Sequence, residues 1–196
     1  MKILALETTD AVASVALYVD GSVDCVAANP DKRHAETVLA QAEALLNKHG
    51  MTTADMDAFA VDVGPGSFTG VRIGVCLANG LGLAHQKPVI AVNALEALAE
   101  SLLTEQPVMA IIDARNGNGY GAVYRMGEAI IEPHACVISE LLAKKQEGYR
   151  TVGTGTDNER LPDAASVARL AAKREGQKQV SPNYLKPSQA ERMWNK

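Results

Sequence analysis

The stretch VMAIIDARNGNGYGAVYRMG, residues 108–127, repeats the pattern of KILALETTDAVASVALYVDG, residues 2–21. Each copy contains an apolar strand that ends in a carboxylate, a polar turn, a second strand that carries a tyrosine, and a glycine turn. One offset of 106 residues aligns Glu7 with Asp113, Tyr18 with Tyr124, and Gly21 with Gly127. Several matches at one offset indicate a duplicated lobe. We therefore predict an α/β protein with two lobes, 1–106 and 107–196.

The two predicted lobes differ in their helices. The first lobe contains an amphipathic segment that ends near Gly50, where a C-terminal cap is expected, and a second helix from about Thr69 to His85. The second lobe has one clear helical pattern, in residues 162–175, followed by a proline-bracketed tail. We expect that tail to dock as a strap, and we expect the second lobe to be the smaller one.

Composition excludes several classes of protein. The chain has 196 residues, 47% of them hydrophobic, and a formal net charge of -4, which argues against a surface devoted to nucleic acid. Its three widely spaced cysteines suggest a reducing compartment. We predict a cytoplasmic protein, because neither a signal peptide nor a membrane-spanning stretch is present. The segment 173–196 is locally basic, with six basic residues against two acidic ones.

The segment GPGSFTG, residues 64–70, joins a buried strand to a helix, as phosphate-binding loops do. It lacks the lysine of a P-loop, and Pro65 removes one amide from the loop. Gly64, Gly66 and Ser67 are therefore weak candidates for nucleotide binding. The alternative is a tight strand-to-helix turn that Ser67 or Thr69 caps.

Carboxylates at the ends of the two repeated strands form a second candidate site. Glu7, with Thr8 beside it, and Asp113 occupy equivalent positions in the two copies. If they face one cleft, they could hold a nucleotide with its magnesium ion. No histidine pair with metal-ligand spacing is present, so we predict no metal site within the chain itself.

Small residues recur every four positions along the predicted helix from Thr69 to His85. They are Gly70, Gly74, Ala78 and Gly82, with Val71 and Val75 beside them. Each glycine weakens a helix by roughly 1 kcal/mol relative to alanine, which suggests that another element approaches closely. That element is either the sheet of the same lobe or a partner protein, and the pattern favours neither.

Four motifs together resemble one family. ILALETT at residues 3–9, GPGSFTGVRIG at 64–74, IDAR at 112–115 and PNYLK at 182–186 are similar, in this order, to the TsaB family of bacterial tRNA threonylcarbamoyladenosine biosynthesis. The resemblance spans most of the chain. It implies a duplicated actin-like, or ribonuclease H-like, two-lobe fold, with a second lobe shortened between Thr156 and Pro162.

The resemblance also implies a function. Members of this family are non-catalytic partners of TsaD, which transfers a threonylcarbamoyl group to the adenosine beside the anticodon of tRNA. TsaE binds that pair, TsaC makes the threonylcarbamoyl-adenylate substrate, and the family pairs with itself when alone. The resemblance thus implies a homodimer or heterodimer without membrane contact, reaching tRNA through the complex. ATP or ADP with magnesium would bind, if at all, at a subunit interface.

By analogy with the family, the first helix and the glycine-bearing helix form the pairing surface. The expected interface residues are Val38, Leu39, Gly70, Val71, Gly74, Val75, Ala78 and Gly82. On this hypothesis, Gly74→Leu leaves the monomer folded and blocks pairing. The alternative function is a small nucleotide-binding phosphotransferase or ATPase of the same fold, with Glu7, Thr8, Asp113 and the GPGSFTG turn around the nucleotide.

Overall fold

The computed structural model describes residues 1–27 and 34–186, which contain two mixed sheets and their helices. The first sheet has the strand order β3-β2-β1-β4-β5. Its strands are β1 (Lys2–Glu7), β2 (Ser14–Val19), β3 (Ser22–Ala27), β4 (Ala58–Asp62) and β5 (Val89–Val92). The second sheet has the order β8-β7-β6-β9. Its strands are β6 (Val108–Asp113), β7 (Asn118–Arg125), β8 (Glu128–Val137) and β9 (Arg150–Gly153).

The predicted duplication is confirmed by the topology of the two sheets. In each sheet the first strand pairs antiparallel with the second and parallel with a later one: β1 with β2 and β4, and β6 with β7 and β9. The hairpin of β2 and β3 turns at Asp20-Gly21, and the hairpin of β7 and β8 turns at Met126-Gly127, 106 residues later. All four of these residues have positive φ, as a two-residue turn matched to the twist of the strands requires.

Five α-helices lie in the described ranges. They are α1 (His34–Lys48), α2 (Phe68–His85), α3 (Ala94–Glu100), α4 (Ile138–Leu142) and α5 (Ala164–Ala171). A short 3-10 turn covers Thr53–Asp55. Helix α2 begins where the sequence predicts, because the Ser67 hydroxyl accepts the Gly70 amide as an N-cap.

Two helices pack on the sheet of the other predicted lobe. Helix α5 belongs to the second lobe in sequence, yet its apolar face packs on the first sheet, against residues such as Ile3 and Ala60. Helix α3 precedes the boundary and packs on the second sheet, against residues such as Ala110. The other face of the first sheet packs on α1 and α2. The division at residue 106 therefore separates the sheets but not the helices.

A short segment connects the second sheet to α5. Only a turn-rich segment joins the end of β9 at Gly153 to Asp163, the N-cap of α5. The segment between Thr156 and Pro162, where we predict that the second lobe is shortened, lies in this connection. Across the described ranges, no helix is both long and apolar enough to cross a membrane.

Candidate functional site

The GPGSFTG turn packs directly on the residues that follow β1. The Ser67 amide donates to the Thr9 carbonyl at 2.7 Å, and the Thr8 hydroxyl donates to the Gly70 carbonyl at 2.7 Å. A Cβ on Gly66 would lie 2.5 Å from the Thr9 carbonyl oxygen, and one on Gly70 would lie 2.0 Å from that of Thr8. These glycines are required because two backbone segments touch here.

This packing uses the groups that were candidates for nucleotide binding. Thr8 is fully buried and its hydroxyl is engaged, while the Gly64 amide donates to Asp62 Oδ1 at 2.8 Å. Asp113 lies at the end of β6 in the other sheet, is exposed, and accepts the Arg115 amide at 2.8 Å. The structure thus groups Glu7 and Thr8 with the turn residues, and places Asp113 in the second sheet.

Two buried carboxyl groups lie beneath the turn. Glu7 and Asp62 are both fully buried, at the ends of the adjacent strands β1 and β4. One oxygen of Glu7 accepts the Thr9 amide and, at 2.7 Å, the Thr9 hydroxyl. The other, Oε2, has no hydrogen-bond partner in the described part of the chain. The Thr9 hydroxyl also donates to Asp62 Oδ2, at 3.4 Å.

Burial determines the charge of this pair. Burial raises the pKa of Glu7 well above its ordinary value, and the neighbouring charge of Asp62 raises it further. Burial also raises the pKa of Asp62, against the lowering effect of the Gly64 amide and the Thr9 hydroxyl. Asp62 was not among the residues predicted from the sequence, although it lies at the end of a buried strand, as Glu7 does, and that position could have indicated it.

The small-residue stripe of α2 faces the interior of its own lobe. Gly70, Val71, Gly74, Val75, Ala78 and Gly82 are all buried within the chain. A Cβ on Gly74 would lie 2.5 Å from Thr8 Oγ1, and one on Gly82 would lie 2.5 Å from a side-chain carbon of Val89. The small-residue stripe therefore packs closely against the first sheet of its own lobe. Burial of these six residues within the chain does not fit the prediction that they contact a partner, and the close approach at Gly74 leads us to expect that Gly74→Leu disturbs the fold of the monomer.

The opposite face of α2 is exposed. It carries Thr69, Arg72, Cys76, Gly80 and Leu83. Leu83 is 75% exposed, and a Cβ on Gly80 would meet nothing within 4 Å. We call these five residues the outer face of α2.

A groove lies between α1 and α2, with Leu81 of α2 in its wall. It has a volume of about 330 Å³, and its apolar lining residues are Leu39, Ala42, Leu46, Met51 and Leu81. Of the two interface residues predicted on α1, Val38 is fully buried and Leu39 is 49% exposed. Val38 therefore cannot contact a partner without a change in the core, whereas Leu39 stays available to one.

The predicted strap is formed by residues 177–186, which run along the other flank of α2. Gln177 pairs with Val89, and Asn79 exchanges two side-chain hydrogen bonds of 2.9 Å with the backbone of Val180. The Asn183 amide donates to the Val63 carbonyl at 2.7 Å. The remainder of the basic tail, residues 187–196, lies outside the described residues.

The described residues contain no assembled metal site. No group of three histidine, cysteine, aspartate or glutamate side chains there is placed to hold a metal ion.

Comparison with known families identifies the relatives of the chain. The family model for TsaD, described as tRNA N6-adenosine threonylcarbamoyltransferase, matches residues 26–162, more than half of the chain. The tRNA threonylcarbamoyladenosine biosynthesis protein TsaB of Escherichia coli K12 is 34% identical over 168 residues, which are 79% of this chain and 72% of that protein. TsaB of Bacillus subtilis 168 is 30% identical over 224 aligned positions, covering 99% of this chain and 98% of the relative.

Solved structures agree with these sequence matches. A Pseudomonas aeruginosa protein described as similar to peptidase YeaZ superposes with a TM-score of 0.84 and 30% identity, over 94% of this chain and 99% of that one. YeaZ from Pseudomonas aeruginosa gives a TM-score of 0.81 at the same identity and coverage. The chain belongs to the TsaB family of tRNA threonylcarbamoyladenosine biosynthesis proteins.

Proposed function

We propose that the chain is a non-catalytic subunit in the formation of threonylcarbamoyladenosine on tRNA, and that it works by pairing with the TsaD-type transferase. Membership of the TsaB family supports the pathway, because its named relatives are threonylcarbamoyladenosine biosynthesis proteins. Through TsaD the chain would join TsaE, with TsaC supplying substrate, and alone it would form a homodimer in the cytoplasm.

The observation that carries the proposal is the outer face of α2. Gly80 lies there in open space, so the described residues give no packing reason for a glycine that weakens the helix. Leu83 beside it is 75% exposed, and five of the nine residues that line the groove against α1 are apolar. A helix face with an exposed leucine and an open glycine allows a partner helix to approach closely.

Co-purification of the chain with its cognate TsaD tests this proposal. We expect a stable complex, and we expect cells depleted of the chain to lose threonylcarbamoyladenosine from tRNA, measured by mass spectrometry of tRNA nucleosides. Failure to form the complex, together with normal levels of the modified nucleoside in depleted cells, would contradict the proposal.

The phosphotransferase alternative has less support, because the chain already uses the groups that would hold a nucleotide. The Thr8 hydroxyl and the Gly64 amide are bonded internally, and Glu7 is completely buried. Isothermal titration with ATP and ADP plus magnesium distinguishes the two functions. We expect no binding to the isolated chain, whereas tight binding with turnover would favour the phosphotransferase. The same titration on the complex tests for a nucleotide at the subunit interface.

A further inference from the structure

The side chain of Arg72 is held in one orientation by two contacts. Its guanidinium carbon lies 4.0 Å from the centre of the Phe68 ring, one helical turn earlier on α2. Its Nε donates to the Tyr184 hydroxyl at 3.0 Å. Stacking on a ring and a hydrogen bond at Nε together fix the plane of the guanidinium group.

The support beneath Arg72 is itself fixed by the fold. The Tyr184 ring stacks on Phe68 with ring centres 4.5 Å apart and an angle of 22° between the planes. The strap that carries Tyr184 is anchored by Asn183 to Val63 and by Val180 to Asn79. Arg72 therefore sits on a platform built from two separate parts of the chain.

The recognition end of Arg72 remains available. Arginine carries five N–H donors, and only the Nε donor is bonded to a described residue. Arg72 is exposed, and within residues 1–27 and 34–186 it forms no ion pair. The four Nη hydrogens thus form a pre-oriented fork, whose geometry matches a planar, bidentate anion such as a carboxylate. An ordinary surface arginine would lose rotamer freedom on binding, and this one has already lost it.

The surroundings of Arg72 favour a protein carboxylate over an RNA phosphate. Arg72 is the one charged residue of the outer face of α2, whose other four residues are uncharged. Lys87 and Lys178 lie at the other end of this face, where they line a cavity with Leu83. Phosphate recognition typically uses several clustered basic residues, whereas a single cation within an uncharged helix face is the pattern of a protein interface with a polar rim.

We propose that Arg72 selects the partner on the outer face of α2 by pairing its Nη atoms with a carboxylate on a partner helix. Tyr184 and Phe68 act as positioning residues for this contact. The inference rests on the proposed pairing of this face with TsaD. It adds a specific recognition group to a surface that is otherwise uncharged.

Titration of purified TsaD against variants of the chain tests the proposal. Arg72→Lys keeps the charge and removes the fork, so we expect binding about tenfold weaker. Tyr184→Phe keeps the stacked ring and removes the acceptor for Nε, so we expect a weakening of about threefold. Arg125→Lys, an exposed change in the second sheet, is the matched control and should bind like the wild type. Melting curves by circular dichroism confirm that each variant is folded.

A charge exchange identifies the carboxylate. Arg72→Glu should abolish pairing, and one acidic-to-arginine variant of TsaD should restore it. Binding of TsaD to Arg72→Lys and Tyr184→Phe with wild-type affinity would overturn the inference. The inference would also be overturned if the variants bind TsaD normally and only the affinity of the complex for tRNA falls. That result would assign Arg72 to a phosphate. The variant Gly80→Leu separates this inference from the proposed function. If Gly80→Leu and the Arg72 and Tyr184 variants all pair normally with TsaD, the outer face is not the interface. If Gly80→Leu alone blocks pairing, only the role of Arg72 is wrong.

Discussion

On the inner face of α2, a Cβ added to Gly74 would lie 2.5 Å from the Thr8 hydroxyl oxygen, whereas at Gly80 on the outer face it would find nothing within 4 Å. The two glycines lie six residues apart on one helix and carry the same intrinsic cost. The inner glycine is required by the sheet beneath it. The outer one meets no such requirement among the described residues, and the proposed pairing would supply one.

This difference separates the fold of the chain from its recognition surface. Substitutions on the inner face should act on stability, and those on the outer face should act on pairing. The expected effects on stability decrease from the largest, at Gly74, to the smallest, at Leu83.

Gly74→Leu should destabilise the chain by more than about 3 kcal/mol, because a bulky side chain cannot fit between α2 and the first sheet without moving one of them. Besides Thr8, the side chain of Val61 lies 3.1 Å from the added Cβ. Urea denaturation followed by circular dichroism measures the change. A Gly74→Leu protein as stable as the wild type would show that α2 does not pack as described.

The buried acids beneath the inner face should make stability depend on pH. Both pKa values are raised in the folded chain, so the native state holds more protons than the unfolded state above about pH 4. The free energy of unfolding therefore falls as pH rises from about 4 towards those raised values, by at most about 1.4 kcal/mol per pH unit for each group. Urea titrations at a series of pH values measure this slope.

Asp62→Asn should flatten the pH dependence. The amide oxygen can still accept the Gly64 N–H, and the variant no longer places a second carboxyl beside Glu7. Asp113→Asn is the matched control, since Asp113 is exposed. An unchanged slope in Asp62→Asn, or an equal flattening in Asp113→Asn, would contradict our description of the pair.

Gly80→Leu should change stability by less than about 1 kcal/mol, with leucine favouring the helix over glycine. Because the added side chain projects from the outer face, it should hold a partner helix away and weaken pairing with TsaD at least tenfold. Size-exclusion chromatography and isothermal titration report the two effects. Normal pairing would remove the outer face from the proposed function.

Leu83→Ser should have the smallest effect on stability, within about 0.5 kcal/mol, because the side chain is 75% exposed. Its loss of apolar contact area should nevertheless weaken pairing several-fold. Leu103→Ser serves as the control, since Leu103 is 70% exposed but lies after α3. Equal effects of the two changes on pairing would mean that exposure alone, and not position on α2, decides the result.

The sequence predicted the elements of this fold well, because their signals are local. The repeat at an offset of 106 residues located both hairpins, and Ser67 marked the start of α2. The direction in which the glycine stripe faces could not be predicted, because periodicity defines a helix face without saying what covers it. The same limit applies to α5, whose apolar face was evident and whose partner sheet was not.

The candidate site was predicted only in part. Leu39, predicted to contact a partner, is 49% exposed, while Gly80 and Leu83 went unnoticed because an open glycine and a lone surface leucine carry no pattern. Arg72 could not be singled out, since its platform needs Tyr184 from a segment more than a hundred residues later. Contacts of that kind depend on the assembled fold.

The position of α5 has a consequence for synthesis on the ribosome. Its first amide donates to the Ser14 hydroxyl at 2.9 Å across 150 residues of chain, and its face covers one side of the first sheet. While residues 1–106 are emerging, α5 is not yet present to cover that apolar side. We therefore expect the two repeats, although similar in topology, to complete their packing together only after α5 has been made.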